Sequence, residues 1–407
     1  MTTYTDQSVP VPSPRVSGER VRVRGVSFNI LLFFAAVAIA LIIWRFVVGL
    51  GASTALSDGY PWGLWIAFDV VTGTALACGG YALALLVYIF NKGKYHPLVR
   101  PAVLTSALGY SIAGLSVMID VGRPWLAWKL PIKFWTWNLN SVLLEVALCI
   151  MAYTVVLWIE LTPAFLEKFK DDAEWPRLRA FARKALPVFD KALIWILALG
   201  LLLPTMHQSS LGSLMLLAGP RLHGLWSTAF LPLFYLVTCL AMGYAIVVIE
   251  SSFSAIAFGR KPAMRILNRL GTFAAWGTLL FVALRFIDLA IKGRLPLLAR
   301  FNLYSALFWA ETLLFVVPFV ILLTKKNNAS LGSLLRAAML VALAGALYRF
   351  DTFLVAFDPG PGWHYFPSVS EQLITIGLVA LELAIYVAVV KNFPILSGEQ
   401  NVQAHHD

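Results

Sequence analysis

Long, almost uninterrupted apolar runs alternate with short polar stretches along this chain. The runs are too long for strands and too uniformly apolar for half-exposed helices of a soluble protein. A hydrocarbon layer about 30 Å thick needs roughly 20 helical residues at about 1.5 Å each. Ten runs meet that length, near 27–49, 62–90, 101–121, 138–160, 188–207, 230–250, 271–291, 303–324, 335–356 and 371–393. The pattern predicts an all-α polytopic membrane protein of ten transmembrane helices, with a membrane domain over 27–393. Residues 1–26, rich in Pro, Ser, Val and Arg, read as a flexible arm, and 394–407 as a tail. The first run is too long for a signal-peptide core and lacks a small-residue cleavage site, so it stays as a helix.

Composition agrees. Of 407 residues, 59% are hydrophobic and 13% charged, and the mean hydropathy is +0.78. A soluble domain could not hide that much apolar side chain. The net charge of +11 would suit a nucleic-acid binder, but its distribution argues for topology instead. Cations crowd the arm (Arg15, Arg20, Arg22, Arg24) and alternate loops, including Lys92, Lys94 and Arg100, then Lys168 to Lys184, Arg260 to Arg269, and Lys325, Lys326 and Arg336. The intervening loops are poorer in cations. This positive-inside pattern puts both termini in the cytoplasm. Cys78, Cys149 and Cys239 lie inside helices without Cys-x-x-Cys pairing and read as inert buried thiols.

A faint repeat runs through the segments. Segment 2 carries VTGTALACGGYALALLV from Val71 and segment 6 carries VTCLAMGYAIVV from Val237. Segments 3 and 7 each place Ile-Asp near the outer end, at Asp120 and Asp288. Segments 4 and 8 open on Ser141 with Glu145 and Ser305 with Glu311. The expectation is two four-helix bundles, segments 2–5 (62–207) and 6–9 (230–356), flanked by segments 1 and 10. The copies run in the same direction, unlike inverted-repeat transporters.

Within this apolar background, Asp69, Glu145, Arg285, Glu311 and Arg349 interrupt the runs, all in the outer half by residue count. A charge at the centre of a spanning helix costs at least about 2.5–3.5 kcal/mol, so five at one level point to a site. The blander alternative is that each staples two helices together. Arg285 and Asp288 are three apart and can meet on one helix face. Arg349 and Asp351 are two apart and cannot, so Arg349 needs another carboxylate, with Glu311 a candidate, or a water-filled cavity. His207, in Leu203-Pro-Thr-Met-His-Gln-Ser-Ser, ends segment 5 at the level of Asp69. With Asn138, Asn140, Gln208, Trp62 and Trp65 at that level, the set offers donors for quinone carbonyls, a proton-exchanging group and apolar walls. A histidine satisfied at the interface is the plainer reading.

Six histidines are present and only His207 touches a helix, which speaks against a b-type haem held by two imidazoles. No metal motif, phosphate-binding Gly loop or nucleophile triad is visible. The inner half is poor in charges, with Glu382 near mid-membrane and Glu160, Asp190 and Glu250 at the inner boundary. The outer loops hold Arg123-Pro-Trp-Leu-Ala-Trp-Lys, Phe134-Trp-Thr-Trp-Asn and Asp358-Pro-Gly-Pro-Gly-Trp-His-Tyr-Phe-Pro. Such tryptophans serve as interfacial anchors or as a docking platform for an extracytoplasmic partner.

Several runs are specific enough to carry a resemblance. They are Tyr60-Pro-Trp-Gly-Leu-Trp-Ile-Ala-Phe-Asp, Ala77-Cys-Gly-Gly-Tyr-Ala-Leu-Ala, Tyr95-His-Pro-Leu-Val-Arg-Pro-Ala, Ile119-Asp-Val-Gly-Arg, Asn140-Ser-Val-Leu-Leu-Glu, Leu203-Pro-Thr-Met-His-Gln-Ser-Ser-Leu-Gly-Ser-Leu and Tyr365-Phe-Pro. Through essentially the whole membrane portion the chain resembles the HybB-type membrane subunits of nickel–iron hydrogenase, in the NrfD/polysulfide-reductase membrane-anchor family. The resemblance implies a quinone-reactive subunit of a periplasmic uptake hydrogenase, without haem or iron–sulfur cluster of its own. Electrons would come from a ferredoxin-like iron–sulfur partner, and through it from the large and small hydrogenase subunits. The acceptor would be a quinone, menaquinone by expectation, held near the outer face.

On this reading Asp69 and His207 contact the quinone, with Trp65, Asn140 and Glu145 beside it. Asp120 and Arg123 relay protons or hold the partner. Arg285, Asp288, Glu311, Arg349 and Asp351 are proton-transfer groups or structural ion pairs, and no metal site is expected. Two other readings stay open. One is a solute or ion transporter, disfavoured by the parallel repeat and the lack of unwound Gly/Pro breaks. The other is a purely structural anchor, or the anchor of another quinone oxidoreductase of the same family.

Overall fold

The structure, a computed structural model, describes residues 25–60, 62–170, 175–257, 261–324 and 329–396. The arm up to Arg24, Pro61, Arg260, Lys325, Lys326 and the tail with His405 and His406 lie outside the described residues. Among the described residues, ten helices are long and apolar enough to cross a membrane: α1 Phe28–Val48, α2 Trp65–Ile89, α3 Gly93–Asp120, α4 Val142–Phe169, α5 Pro176–Leu216, α6 Leu231–Ala257, α7 Met264–Ile291, α8 Leu303–Thr324, α9 Leu331–Val355 and α10 Val369–Asn392. The expected all-α, ten-span architecture is what is found. Among the described residues, β-pairing is limited to one isolated bridge, Leu222 with Phe357.

Several boundaries differ from the hydropathy reading: α4 runs on to Phe169, α6 runs on to Ala257 and α7 starts at Met264. α3 starts at Gly93, through a 3₁₀ turn that contains Pro97. α5 runs for 41 residues rather than stopping at His207. At its start, Pro176 occupies the first helical turn, where its missing N–H costs nothing. At its end, the hydroxyls of Ser209 and Ser210 donate to the Met206 carbonyl and that of Ser213 to the Ser209 carbonyl. The helix absorbs these polar residues by back-bonding, so a polar run did not mean a loop.

α2 is the hub. Its apolar window is 83% buried, against 17% for α1. It packs on α3, α6 and α9, while α3 packs on α4, α4 on α5 and α5 on α6. α6, α7, α8 and α9 pack on one another in sequence, and α9 returns to α6. α1 lies along α10, which also touches α3. Small residues permit the closest crossings. A Cβ on Gly243 would sit 2.6 Å from the Cys78 carbonyl oxygen, and one on Gly377 would overlap Ala38 and the Phe34 carbonyl.

α2 is also irregular. It has π-helical turns at Trp65–Thr72 and Leu85–Ile89, and departs from helical geometry at Ala77 and Cys78. Thr72 supports the first π turn by donating to the Ala67 carbonyl five residues back at 2.9 Å. α9 ends in another π turn, Asp351–Val355. There the Trp62 indole of the α1–α2 loop donates to the Phe353 carbonyl at 3.1 Å. The expected lack of unwound Gly/Pro breaks is therefore corrected at Ala77–Cys78, just before Gly79-Gly80, where the Ser106 hydroxyl accepts from the Gly80 amide at 3.1 Å and re-satisfies the distorted backbone.

Candidate functional site

The start of α2 is fixed from α10. Ser368 and Glu371 form a capping box at the α10 N-terminus. Fully buried Glu371 also accepts from the Ala55 amide at 2.8 Å and from the Tyr365 hydroxyl at 2.6 Å. Tyr365 in turn accepts from the Leu64 amide at 2.7 Å. Gly63 is required there, because a Cβ would overlap the Tyr365 hydroxyl oxygen. Burial, then the hydrogen bond to Glu371, pushes the Tyr365 phenol well above its ordinary range. The tyrosine therefore stays a donor, and two loops are pinned to one helix end.

That anchoring sets Asp69 one turn into α2, 4% exposed, with Oδ2 accepting from the Thr375 hydroxyl of α10 at 2.9 Å. Trp65, 1% exposed, packs with Ile112, Ile119, Ile374 and Leu378, and its Nε1 has no partner. On α3, Ser116 Oγ and Asp120 Oδ1 are likewise buried without partners. Arg45 of α1, also buried, donates Nη2 to the Val121 carbonyl at 2.8 Å, and its Nε is free. Each unsatisfied buried group costs about 1–3 kcal/mol. Unpartnered donors and a carboxyl oxygen thus lie closed off beside an apolar wall, the chemistry that a polar-headed apolar ligand would use.

His207 belongs to a neighbouring cluster. It is fully buried, its Nε2 lies 3.3 Å from the Thr74 hydroxyl, and its ring meets Tyr110 edge-on at 5.5 Å. Gln208 Nε2 donates to the same hydroxyl at 3.0 Å. The level expected for His207 is corrected. It matches Thr74, five residues beyond Asp69 and about 7.5 Å deeper along α2, because α5 continues past it. Asp69 faces Thr375 and His207 faces Thr74, so they border α2 without sharing a hydrogen bond.

The other expected companions lie elsewhere. Asn140 is exposed before α4, Glu145 is half-buried in the first turn of α4, and Arg123 is exposed in the loop that follows α3. None makes a hydrogen bond to Asp69 or His207 among the described residues. Arg45, Thr74, Thr375 and Glu371 were missed as site residues. Arg45 interrupts an apolar run like the others, and Ser368-x-x-Glu371 is a legible capping signal, whereas the two threonines carry no sequence mark.

In the second half, Arg285 pairs with Glu311 across α7 and α8, not with Asp288. Asp288 instead meets Lys292 one turn on at 2.7 Å and accepts from Thr228 at 2.9 Å. Helix rotation decides this: spacing permits a pair but does not say which face turns inward. Arg349, fully buried, finds no carboxylate among the described residues. It donates to Thr238 at 3.0 Å, the Tyr235 carbonyl at 2.9 Å and Gln208 at 3.3 Å. This joins α9 to the His207 cluster through Gln208 and Thr74.

Two surfaces complete the picture. Beyond α3, Trp125, Trp128, Phe134 and Trp135 are all more than half exposed among Arg123, Lys129 and Lys133. At the opposite, basic face, a crevice of about 270 Å³ is lined by Tyr88, His96, Glu160 and Asp190, beside the two-pronged Arg100–Glu167 pair at 2.6 and 2.7 Å.

The sequence profile of the family described as "Polysulphide reductase, NrfD" matches residues 52–356. The chain is 41% identical over 394 residues to the "Probable Ni/Fe-hydrogenase 2 b-type cytochrome subunit" of Escherichia coli, covering 94% of this chain and 96% of that protein. It is 27% identical over 378 residues to the "Menaquinone reductase, integral membrane subunit" of Nitratidesulfovibrio vulgaris, covering 86% and 87%. The "Hdr-like menaquinol oxidoreductase integral membrane subunit" of Archaeoglobus fulgidus is 22% identical over 373 residues, covering 84% and 86%. The first of these names implies a b-type haem, which two facing imidazoles would hold inside the membrane. Among the described residues, no two histidines face each other in that way. His207 faces Thr74 and Tyr110, His96 sits in the opening turn of α3, and His223 and His364 lie in loops. What the profile and the E. coli relative establish together is the family: the chain is a multi-pass membrane protein of the NrfD polysulphide reductase family.

Proposed function

We propose that the chain is the quinone-reactive membrane subunit of a hydrogenase-type redox complex in a bacterial inner membrane. An iron–sulfur partner docks on the exposed Trp/Phe and Arg/Lys surface beyond α3 and passes electrons to a quinone, menaquinone by analogy with the N. vulgaris relative. α2–α5 and α6–α9 act as two four-helix units, with α1 and α10 outside them. The chain itself needs no haem for this role.

One observation carries the reading. Asp69 is a buried carboxyl group in a π turn, a setting frequent at functional sites, next to the unpartnered indole N–H of Trp65. Reduction of a quinone to a quinol takes two electrons and two protons. In this reading Trp65 Nε1 or Arg45 Nε donates to a quinone carbonyl, and Asp69 delivers a proton as electrons arrive. Thr375 holds the Asp69 carboxyl in place, and Asp120 lies on the route from the surface. His207 borders this site at Thr74, five residues further along α2, while Asn140 and Glu145, at the start of α4, lie outside it.

The test is Asp69→Asn in the assembled complex. Asn can still accept from Thr375, so assembly is expected to survive while quinone reduction falls about 10²–10⁴-fold, the range for losing a general acid–base group. Full-rate reduction by an assembled variant removes Asp69 from the reaction. The broken α2 favours one other reading, a solute or ion transporter. Uptake into vesicles by the chain without its partners would select it.

A further inference from the structure

Four charged groups are buried together where α7, α8 and α9 meet: Arg285, Glu311, Arg349 and Asp351 are between 0% and 4% exposed. Their partners are unevenly divided. Glu311 takes Arg285 on Oε2 and the Trp226 indole on Oε1 at 3.0 Å. Arg349 is turned away, committed to Thr238, the Tyr235 carbonyl and Gln208. Asp351 has no hydrogen-bond donor for Oδ2, and its carboxyl group lies within hydrogen-bonding reach of Glu311. Arg285 is paired with Glu311 alone, and among the described residues Asp351 has no cation bonded to it.

Two adjacent carboxylates in a dry interior cannot both be ionised. A proton between them resolves the arrangement: Asp351 becomes the donor that completes the ring of donors around Glu311. Arg285 retains a second, unpartnered nitrogen, Nη2. The mirror arrangement, with the proton on Glu311 and Arg285 turned to Asp351, is thus also furnished with a donor. Aromatic rings close the site. The Arg285 guanidinium lies 4.0 Å from the Phe308 ring centroid, 5.2 Å from Tyr348 and 5.5 Å from Trp226. From α6, Tyr235 packs on Tyr348 with ring centroids 5.6 Å apart. On α7, Asp288 is engaged by Lys292 and Thr228, and on α2, Asp69 is engaged by Thr375.

We propose that Glu311 and Asp351 form a proton-binding site, holding one proton between two carboxyl groups with Arg285 as the fixed counter-cation. Its ligand is the proton itself, stored in the outer half of the membrane apart from Asp69. The site is tied to the His207 cluster by the chain Arg349, Gln208 and Thr74. This inference does not depend on a quinone as electron acceptor.

Infrared spectroscopy of the purified complex at neutral pH tests it. A protonated carboxyl group gives a carbonyl band that moves to lower frequency in deuterium oxide. Asp351→Asn keeps a neutral donor beside Glu311, so the variant is expected to assemble with unchanged thermal stability and to lose one such band. Glu311→Gln frees Asp351 to ionise against Arg285, and is expected to lose one such band as well. Retention of every band in Asp351→Asn overturns the proposal, since Asp351 was then ionised. So does failure of Asp351→Asn to assemble, because a neutral group at that position would have been replaced by a neutral one.

Discussion

Arg285→Met exposes the energetics of the deepest ion pair. The substitution preserves much of the volume and removes the guanidinium, leaving Glu311 with the Trp226 indole and its neighbour Asp351. Breaking a buried pair by removing one partner costs about 3–5 kcal/mol. That is a shift of roughly a hundredfold to several thousandfold in the folding equilibrium. In Glu311→Leu, Arg285 still has Asp351 to turn to, and the guanidinium keeps its faces against Phe308, Tyr348 and Trp226. Such contacts are worth about 0.5–2 kcal/mol each when desolvated, so the loss is expected to be the smaller of the two. The double variant Arg285→Met/Glu311→Leu leaves neither charge stranded. Its cost should fall short of the sum of the single costs by about 2 kcal/mol or more. Unfolding in detergent, monitored for the four proteins of the cycle, measures the coupling. Costs that add to within about 0.5 kcal/mol would refute the reasoning, because independent sites behave that way.

Other outcomes follow from single positions. Gly377→Val drives a side chain into Ala38 and the Phe34 carbonyl, and should destabilise the α1–α10 contact by about 1–3 kcal/mol; an unchanged thermal midpoint would contradict the close crossing. Burial, then Arg300 and Arg294, depress the pKa of His223 below its ordinary 6.5. The folded chain therefore binds this proton less tightly than the unfolded chain. The contribution of His223 is present above about pH 6.5 and is lost as pH falls through the depressed value. Thermal unfolding from pH 7 into acid should decline less steeply in His223→Gln than in the parent; parallel acid limbs would remove His223 from the explanation. The Asp69→Asn and Asp351→Asn variants separate quinone chemistry from proton storage. Loss of activity is expected in the first, and loss of a carboxyl band in the second.

The apolar runs by themselves determined that there are ten spans and roughly where each lies, because a membrane demands helices of a minimum length. They also marked Asp69, Arg285, Glu311 and Arg349 as buried charges, since nothing else about a spanning helix tolerates them. What each charge does was decided only by tertiary structure. Helix rotation gave Arg285 to Glu311 rather than Asp288, and left Arg349 with neutral acceptors. The extension of α5 moved His207 to the level of Thr74, because serine hydroxyls satisfied the helix backbone where polarity suggested a loop. Threonine partners such as Thr74 and Thr375 stayed hidden for the same reason. A hydroxyl in a spanning helix ordinarily bonds its own backbone, and only a neighbouring helix at the right height turns it into part of a site.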